Sequence, residues 1–166
     1  MKKTIPLRSR TAWALVLVLT LGLTTEIAKA DFTFGTPINL GPPISTPYGD
    51  LGPCITADGL EMYISYYNRP GHGGWSMWIS TRETENDNWG APVNLGSPVD
   101  TGLDNTSSYI SADGLALYFA AYNRSGGYGN WDIWMTTRAT KDDAWGIPEN
   151  LGPTVNSSAW DVVPHI

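Results

Sequence analysis

Residues 110–119, ISADGLALYF, indicate the fold of this chain because nearly the same stretch occurs once before, as ITADGLEMYI at residues 55–64. Asp113 in the second copy follows Asp58 in the first by 55 positions. Each copy places an Asp-Gly pair directly before an apolar run. A fixed period of this size is typical of repeat architectures, in which one supersecondary unit stacks on the next.

The repeat extends well beyond this stretch. Trp145 follows Trp89 by 56 positions, and each tryptophan opens a similar segment that closes its unit. The other matching segments are WSMW (75–78) with WDIW (131–134), FGTPINLG (34–41) with WGAPVNLG (89–96) and WGIPENLG (145–152), and DLGPCI (50–55) with DVVPHI (161–166). We therefore divide the chain into units at about 42–96 and 97–152, followed by a partial unit at 153–166.

Each unit predicts four short strands. The Asp-Gly pair predicts a two-residue hairpin, since both residues tolerate the positive φ of such turns. The next strand is apolar throughout, which suits a strand covered on both faces. The third should alternate, with Ile133 and Met135 opposite Trp134 and Thr136, and the fourth contains a proline, which edge strands tolerate. The predicted strands are 54–56, 60–67, 75–82 and one containing Pro92, then 109–111, 115–122, 131–138 and one containing Pro148.

No stretch after residue 30 shows a helical period. Four-stranded units that recur with aromatic landmarks predict an all-β fold, specifically a partial β-propeller of two four-stranded antiparallel blades. Residues 34–41 would then add an amino-terminal outer strand, and residues 153–166 would begin a third unit. A flat β-sandwich is the alternative, but it does not require such regular copies.

The second copy resembles the WD40-like propeller repeats of exported bacterial proteins, the type found in the propeller of the Tol-system periplasmic protein. The matching elements are ISADG (110–114), LYF (117–119), Asn123-Arg124, GGYG (126–129) and DIW (132–134). This resemblance implies an interaction scaffold, often beside other domains. A weaker resemblance is to the Asp-box of sialidases. There the motif is a structural turn, and this chain departs from it because Asp113 and Gly114 are adjacent and no Thr-Trp follows.

Residues 1–30 predict a cleaved signal peptide. A basic start precedes an apolar core at 12–23, and Ala28-Lys29-Ala30 offers small residues for cleavage. A membrane anchor would need about 18 or more apolar residues, so no anchor is expected after cleavage. The sequence therefore predicts export, to the periplasm or the extracellular space.

The net charge and the cysteine and histidine content of the chain limit the partners and cofactors that can be expected. Without residues 1–30 the chain has five basic and fifteen acidic residues, a formal charge of −10. Nucleic acid is disfavoured because phosphate binding depends on clustered Lys and Arg. The single cysteine, Cys54, cannot form an internal disulfide, and we predict a buried thiol of little reactivity. His72 and His165 are too far apart in sequence to predict a zinc site, so no metal or cofactor is expected.

Two units are fewer than a closed ring needs, since propellers have about four to eight blades. Two open blades would leave apolar faces and strand edges unpaired. Further blades are therefore expected. We interpret the chain as part of a longer propeller, with self-assembly of several chains into one ring as the alternative.

Asp50, Asp104 and Asp161 precede the first strand of each unit. In a propeller this position lies near the mouth of the central channel, where carboxylates could bind a cation or act on a sugar. An aspartate that recurs in every unit also suits backbone hydrogen bonds between blades. We favour the structural interpretation, since acid and base catalysts need different environments.

The remaining recurring residues are assigned to the repeat itself, and no catalytic residue is predicted. We expect Arg69 and Arg124 to pair with a nearby carboxylate or carbonyl, and Trp75, Tyr128 and Trp131 to pack or to stack on sugars. The structural repeat residues are Asp58, Gly59, Asp113, Gly114, Arg69, Arg124, Trp78, Trp134, Trp89 and Trp145.

Two functions follow as hypotheses. The first is an exported, non-enzymatic propeller scaffold that binds a protein or a cell-envelope polymer such as a polysaccharide. The alternative is a fragment of a propeller glycoside hydrolase or sialidase-like enzyme, which the aromatic-rich and Asp-rich β composition would suit.

Overall fold

The structure is a computed structural model and describes residues 35–165. The fold below is that of the compact unit formed by residues 38–165. The predicted signal peptide at 1–30 lies outside the described residues. Between residues 35 and 165 there is no α-helix, and hence no helix able to cross a membrane.

Residues 35–165 contain eight strands in two four-stranded antiparallel sheets, which confirms the all-β fold. The first sheet has the order β1-β2-β3-β4 and the second the order β5-β6-β7-β8, so each strand pairs with its neighbours in sequence. Equivalent residues keep the same register, with Tyr63 opposite Ile79 and Tyr118 opposite Met135. The strands are β1 (Gly49–Ile55), β2 (Glu61–Tyr67), β3 (Trp75–Thr81), β4 (Val93–Asn94), β5 (Asn105–Ile110), β6 (Ala116–Tyr122), β7 (Trp131–Thr137) and β8 (Glu149–Asn150).

The central strands β2, β3, β6 and β7 lie within one residue of their predicted bounds. The predicted burial of β2 on both faces is confirmed, because Met62 to Tyr66 are all buried. β7 is a strand over Trp131–Thr137, so Ile133 and Met135 lie on the face opposite Trp134 and Thr136, as predicted; Asp132, Ile133 and Trp134 are nevertheless buried in succession. A strand in the middle of a sheet that is covered on both sides buries side chains on both faces, so burial does not alternate along it.

The first strand of each sheet is longer than predicted. β1 begins at Gly49 and β5 at Asn105, well before the predicted starts at residues 54 and 109. Each contains a register shift, between Leu51 and Cys54 in β1 and between Thr106 and Tyr109 in β5. A bulge of this kind tolerates small and polar residues, which in a sequence otherwise indicate a loop. The sequence pattern therefore underestimates the length of each of these strands.

The Asp-Gly pairs do not form two-residue hairpins as predicted. The Thr56 amide donates to the Glu61 carbonyl at 3.0 Å, so the turn between this hydrogen-bonded pair has four residues, 57–60. The Asp58 carboxylate accepts from the Leu60 amide at 3.2 Å, and Gly59 has φ +70°. The side chain of Asp58 thus stabilises a wider turn, and the glycine supplies its left-handed residue.

The ends of the described region, residues 35–41 and 153–165, form fewer strand pairings than predicted. Residues 35–41, most of the expected outer strand, contain no strand, because no neighbouring strand hydrogen-bonds to them in the described part of the chain. At the other end the third entry forms one parallel bridge, between Trp131 and Trp160. The fourth strands, β4 and β8, have two residues each.

The two sheets pack face to face through unlike faces. Their shared core includes Tyr63 and Met77 from the first sheet, and Leu117, Phe119 and Trp134 from the second. Successive strand residues point to opposite faces. Since the residue equivalent to Leu117 is Met62, which adjoins Tyr63, the second sheet contributes the face that in the first sheet points the other way.

That opposite face of the first sheet has a smaller core of its own. Met62, Ile64, Tyr66 and Trp78 pack there with Ile44 from the preceding loop. The Tyr66 hydroxyl donates to the Ile44 carbonyl at 2.8 Å, which anchors the loop to the sheet.

Candidate functional site

The three aspartates proposed for the channel mouth are not equivalent. Asp50 lies opposite Tyr66 in the first sheet, and the residue at the same place in the second sheet is Asn105, opposite Ala121. Asp104 lies one position earlier, so Asp50 and Asp104 do not occupy equivalent positions in their sheets. One more residue separates Asp104 from its Asp-Gly turn than separates Asp50 from its own, and a match by residue type hides that shift.

Each of these carboxylates accepts a hydrogen bond from a backbone amide. Asp50 accepts from the Thr46 amide at 3.0 Å and hydroxyl at 2.7 Å, and Asp161 accepts from the Ser157 amide at 2.7 Å. Asp104 accepts from the Trp75 amide at 2.6 Å, which ties the connection between the sheets to the start of β3. These hydrogen bonds help to shape the loops beside the strands.

A second pair of polar residues was missed in the sequence. Asp100 accepts from the Met77 amide at 3.1 Å and from the Asn94 side chain at 2.7 Å. Asn156 accepts from the Ile133 amide at 2.7 Å at the equivalent place. Asp100 and Asn156 each follow a Leu-Gly pair at the same spacing, and that was the available signal. Both are buried and attach the segment that follows each sheet to its third strand.

The turn aspartates differ in one contact. Asp58 accepts from the Thr56 hydroxyl at 2.6 Å and also forms an ion pair with Lys141 of the second unit. The hydrogen bond from Lys141, followed by that from Thr56, holds the pKa of Asp58 well below its usual range. Asp113 pairs with the Ser111 hydroxyl, which lowers its pKa too. Only Asp58 therefore couples its turn to the other sheet through an ion pair.

Acid should weaken the protein partly through Asp58. Because the folded pKa is lowered, its stabilising contribution is complete above the ordinary aspartate pKa of about 3.9 and is lost as pH falls through the folded pKa. The pair is exposed to solvent, so we expect Asp58→Asn to remove about 0.5 kcal/mol at pH 7 and progressively less as the pH falls below about 3.9. Urea unfolding across that range measures this difference, and an equal effect of Asp58→Asn at all pH values would contradict it.

The recurring arginines Arg69 and Arg124 make different contacts. Arg124 donates to the Val99 carbonyl at 2.9 Å and the Pro98 carbonyl at 2.6 Å, and it lies 5.3 Å from the Trp134 ring centroid. Burial lowers the pKa of Arg124. Arg69 lies 4.4 Å from the ring of Trp78. Arg124 thus holds the connection between the sheets through carbonyl oxygens.

A second recurring pair joins arginine to tryptophan. Arg82 lies 4.3 Å from the Trp89 ring, and Arg138 lies 4.6 Å from the Trp145 ring. Arg138 also donates to the Glu61 carboxylate of the first sheet at 2.7 Å. The sequence-based assignment of repeat residues included the two tryptophans but neither arginine, although Thr-Arg-x-Thr recurs at 81–84 and 137–140 and was the available signal.

The described structure contains a cleft beside the contact between β1 and β5. A Cβ built on Gly52 would lie 3.2 Å from the Ser107 Cα, so these backbones approach closely there. The cleft has a volume of about 380 Å³. It is lined by Leu51, Gly52, Pro53, Cys54, Ser107, Ser108, Tyr109, Val163 and His165.

The chemistry of this cleft is mainly apolar. The Cys54 thiol donates to the Ser108 hydroxyl at 3.4 Å, and burial raises the pKa of Cys54, which keeps the thiol protonated. The rings of Tyr109 and His165 lie 5.1 Å apart. Leu51 and Val163 are partly or largely exposed, at 44% and 67%. Such a surface suits recognition of a partly apolar ligand.

No group of three His, Cys, Asp or Glu residues suited to a metal ion occurs between residues 35 and 165. Comparison with known proteins gives no match to a family model, a curated protein or a solved structure.

Proposed function

We propose that this chain is an exported, non-enzymatic interaction module of the β-propeller type that binds a protein or a cell-envelope polymer. Export rests on the pattern of residues 1–30. The propeller assignment is supported by two repeated four-stranded sheets that stack through unlike faces, since such stacking can continue from unit to unit around a ring. A sandwich of two related sheets would more simply pair like faces.

The observation that carries the binding function is how the polar residues are used. The carboxylates of Asp50, Asp104 and Asp161 accept hydrogen bonds from backbone amides. The guanidinium of Arg124 donates to a backbone carbonyl. The cleft, in contrast, is lined by residues that differ between the copies, such as Cys54 where the second copy has Tyr109. Because these positions are not kept the same in both copies, their side chains can provide specificity for a ligand.

We assign recognition to this cleft and expect Leu51→Asp to weaken binding about tenfold or more, because a charge would have to be desolvated against the ligand. Insoluble peptidoglycan and a glycan array are suitable probes. Ile147→Asp is the matched control, because Ile147 is 81% exposed and does not line the cleft.

The outcomes separate the parts of the proposal. Binding that Leu51→Asp weakens and Ile147→Asp leaves unchanged would support it. Release of reducing sugar from either probe would contradict the non-enzymatic assignment. Failure of both probes to bind would contradict the polymer as ligand, and equal effects of the two variants would contradict the cleft as the site.

A further inference from the structure

A pocket of about 590 Å³ lies on the first sheet, on the face turned away from the second. Arg82 contributes to it, with its guanidinium 4.3 Å from the Trp89 ring. Arg82 is fixed from behind, since Nε donates to the Gly59 carbonyl and Nη1 to the Glu85 carbonyl, both at 2.7 Å. The pocket is lined by Leu40, Pro42, Pro43, Ile44, Arg82, Asp87, Asn88 and Trp89.

The second unit has the same arrangement of arginine and tryptophan, and there residues of the first sheet pack against it. Arg138 donates through Nε to the Gly114 carbonyl and through Nη1 to the Lys141 carbonyl, as Arg82 does at the equivalent residues. Its Nη2 donates to the Glu61 carboxylate of the first sheet at 2.7 Å. The Tyr63 ring packs edge-on against Trp145, with centroids 6.1 Å apart. A Glu-x-Tyr strand, Glu61 to Tyr63, therefore fills the place that the pocket offers.

Arg82 lacks this third contact. Among residues 35–165 the ion pairs are Arg138 with Glu61 and Lys141 with Asp58, and neither includes Arg82. A guanidinium held over a tryptophan by two carbonyls is preorganised to accept a carboxylate. We propose that this pocket is a docking site for a strand of a partner sheet that presents a glutamate to Arg82 and, two residues later, an aromatic ring to Trp89.

A second copy of this chain does not meet that requirement. The residues at the Glu61 and Tyr63 positions of the second sheet are Ala116 and Tyr118, so a copy would present the ring without the carboxylate. Glu85 stands where the second unit has Lys141, and Asp113 of a copy would then face Glu85 instead of a cation. The missing carboxylate at Arg82 and the like charges of Asp113 and Glu85 both disfavour self-association. The partner is therefore a non-identical sheet, carrying Glu-x-aromatic and a basic residue or a neutral one near Glu85.

The test converts this chain into its own partner. In the variant Ala116→Glu with Glu85→Lys, the second sheet acquires the Glu-x-Tyr strand and the first acquires the cation opposite Asp113. We expect this variant to self-associate about tenfold or more tightly than the unmodified chain in sedimentation velocity runs over a range of concentrations. Ala116→Gln with Glu85→Lys keeps the size without the charge, and should associate more weakly.

Adding Arg82→Glu to the associating variant should return it to the monomer, because the docking cation is replaced by an anion. Circular dichroism of each variant checks that the sheets are retained. Association of the unmodified chain that Arg82→Glu abolishes would overturn the choice of a non-identical partner. A folded Ala116→Glu, Glu85→Lys variant that stays monomeric would overturn the docking site. Because the pocket and the cleft are separate surfaces, either proposal can fail alone.

Discussion

Replacing Arg138 with Met should lower the free energy of unfolding by about 3–5 kcal/mol, the usual effect of removing one partner from a buried ion pair. The side chains of Arg138 and Glu61 are 4% and 15% exposed. Without the guanidinium, the Glu61 carboxylate keeps the Tyr63 hydroxyl at 2.9 Å as its donor, and burial, with that carboxylate, raises the pKa of Tyr63 far above its usual range. One neutral donor does not compensate a buried charge. Urea unfolding at neutral pH measures the loss.

Arg82→Met is the matched control for this variant. It removes the same stacking on tryptophan and the same two carbonyl contacts, but no carboxylate partner, so we expect a loss of only about 1–2 kcal/mol. Adding Glu61→Gln to Arg138→Met should recover part of the stability, since the unpaired charge disappears. If Arg138→Met and Arg82→Met cost the same, the ion pair between the sheets contributes nothing.

Phe119→Ala should cost about 3–5 kcal/mol, because it opens a cavity in the core shared by the two sheets. Phe119 is fully buried and packs with Tyr63 and Met77 of the opposite sheet. Phe119→Leu, which retains most of the volume, should cost less than about 1.5 kcal/mol. Thermal and urea unfolding measure both losses.

The same experiment tests whether the sheets fold together. A shared core predicts one cooperative transition for the unmodified chain and for both Phe119 variants. Two transitions, of which Phe119→Ala moves only one, would mean that the sheets are independent and that the core between them is not their main source of stability.

Local patterns predicted the centre of each sheet well. The apolar runs of β2 and β6 and the aromatic ends of β3 and β7 have few conformations open to them once both faces are buried. The bulged strands β1 and β5 were predicted too short. Gly52 and Ser107 both adopt positive φ there, and glycine or serine in a sequence indicates a loop unless a neighbouring strand is known to hold it.

The candidate site was predicted less well. Asp104 was matched with Asp50 by residue type, whereas hydrogen bonding aligns Asn105 with Asp50. Arg138 and Glu61 are 77 positions apart, and nothing local to either residue indicates the other. A contact between units depends on how the sheets stack, which no periodicity within one unit can encode.

The sequence by itself determined that this protein is a duplicated all-β unit, because periodicity and turn residues act through local backbone preferences that the chain carries with it. Only the tertiary structure decided which faces of the two sheets meet and which aspartates accept hydrogen bonds from backbone amides. It also decided that Arg82 has the same carbonyl and tryptophan contacts as Arg138 but no carboxylate partner. Those features depend on distances between residues far apart in the chain, and burial and hydrogen bonding set these distances only when the sheets pack.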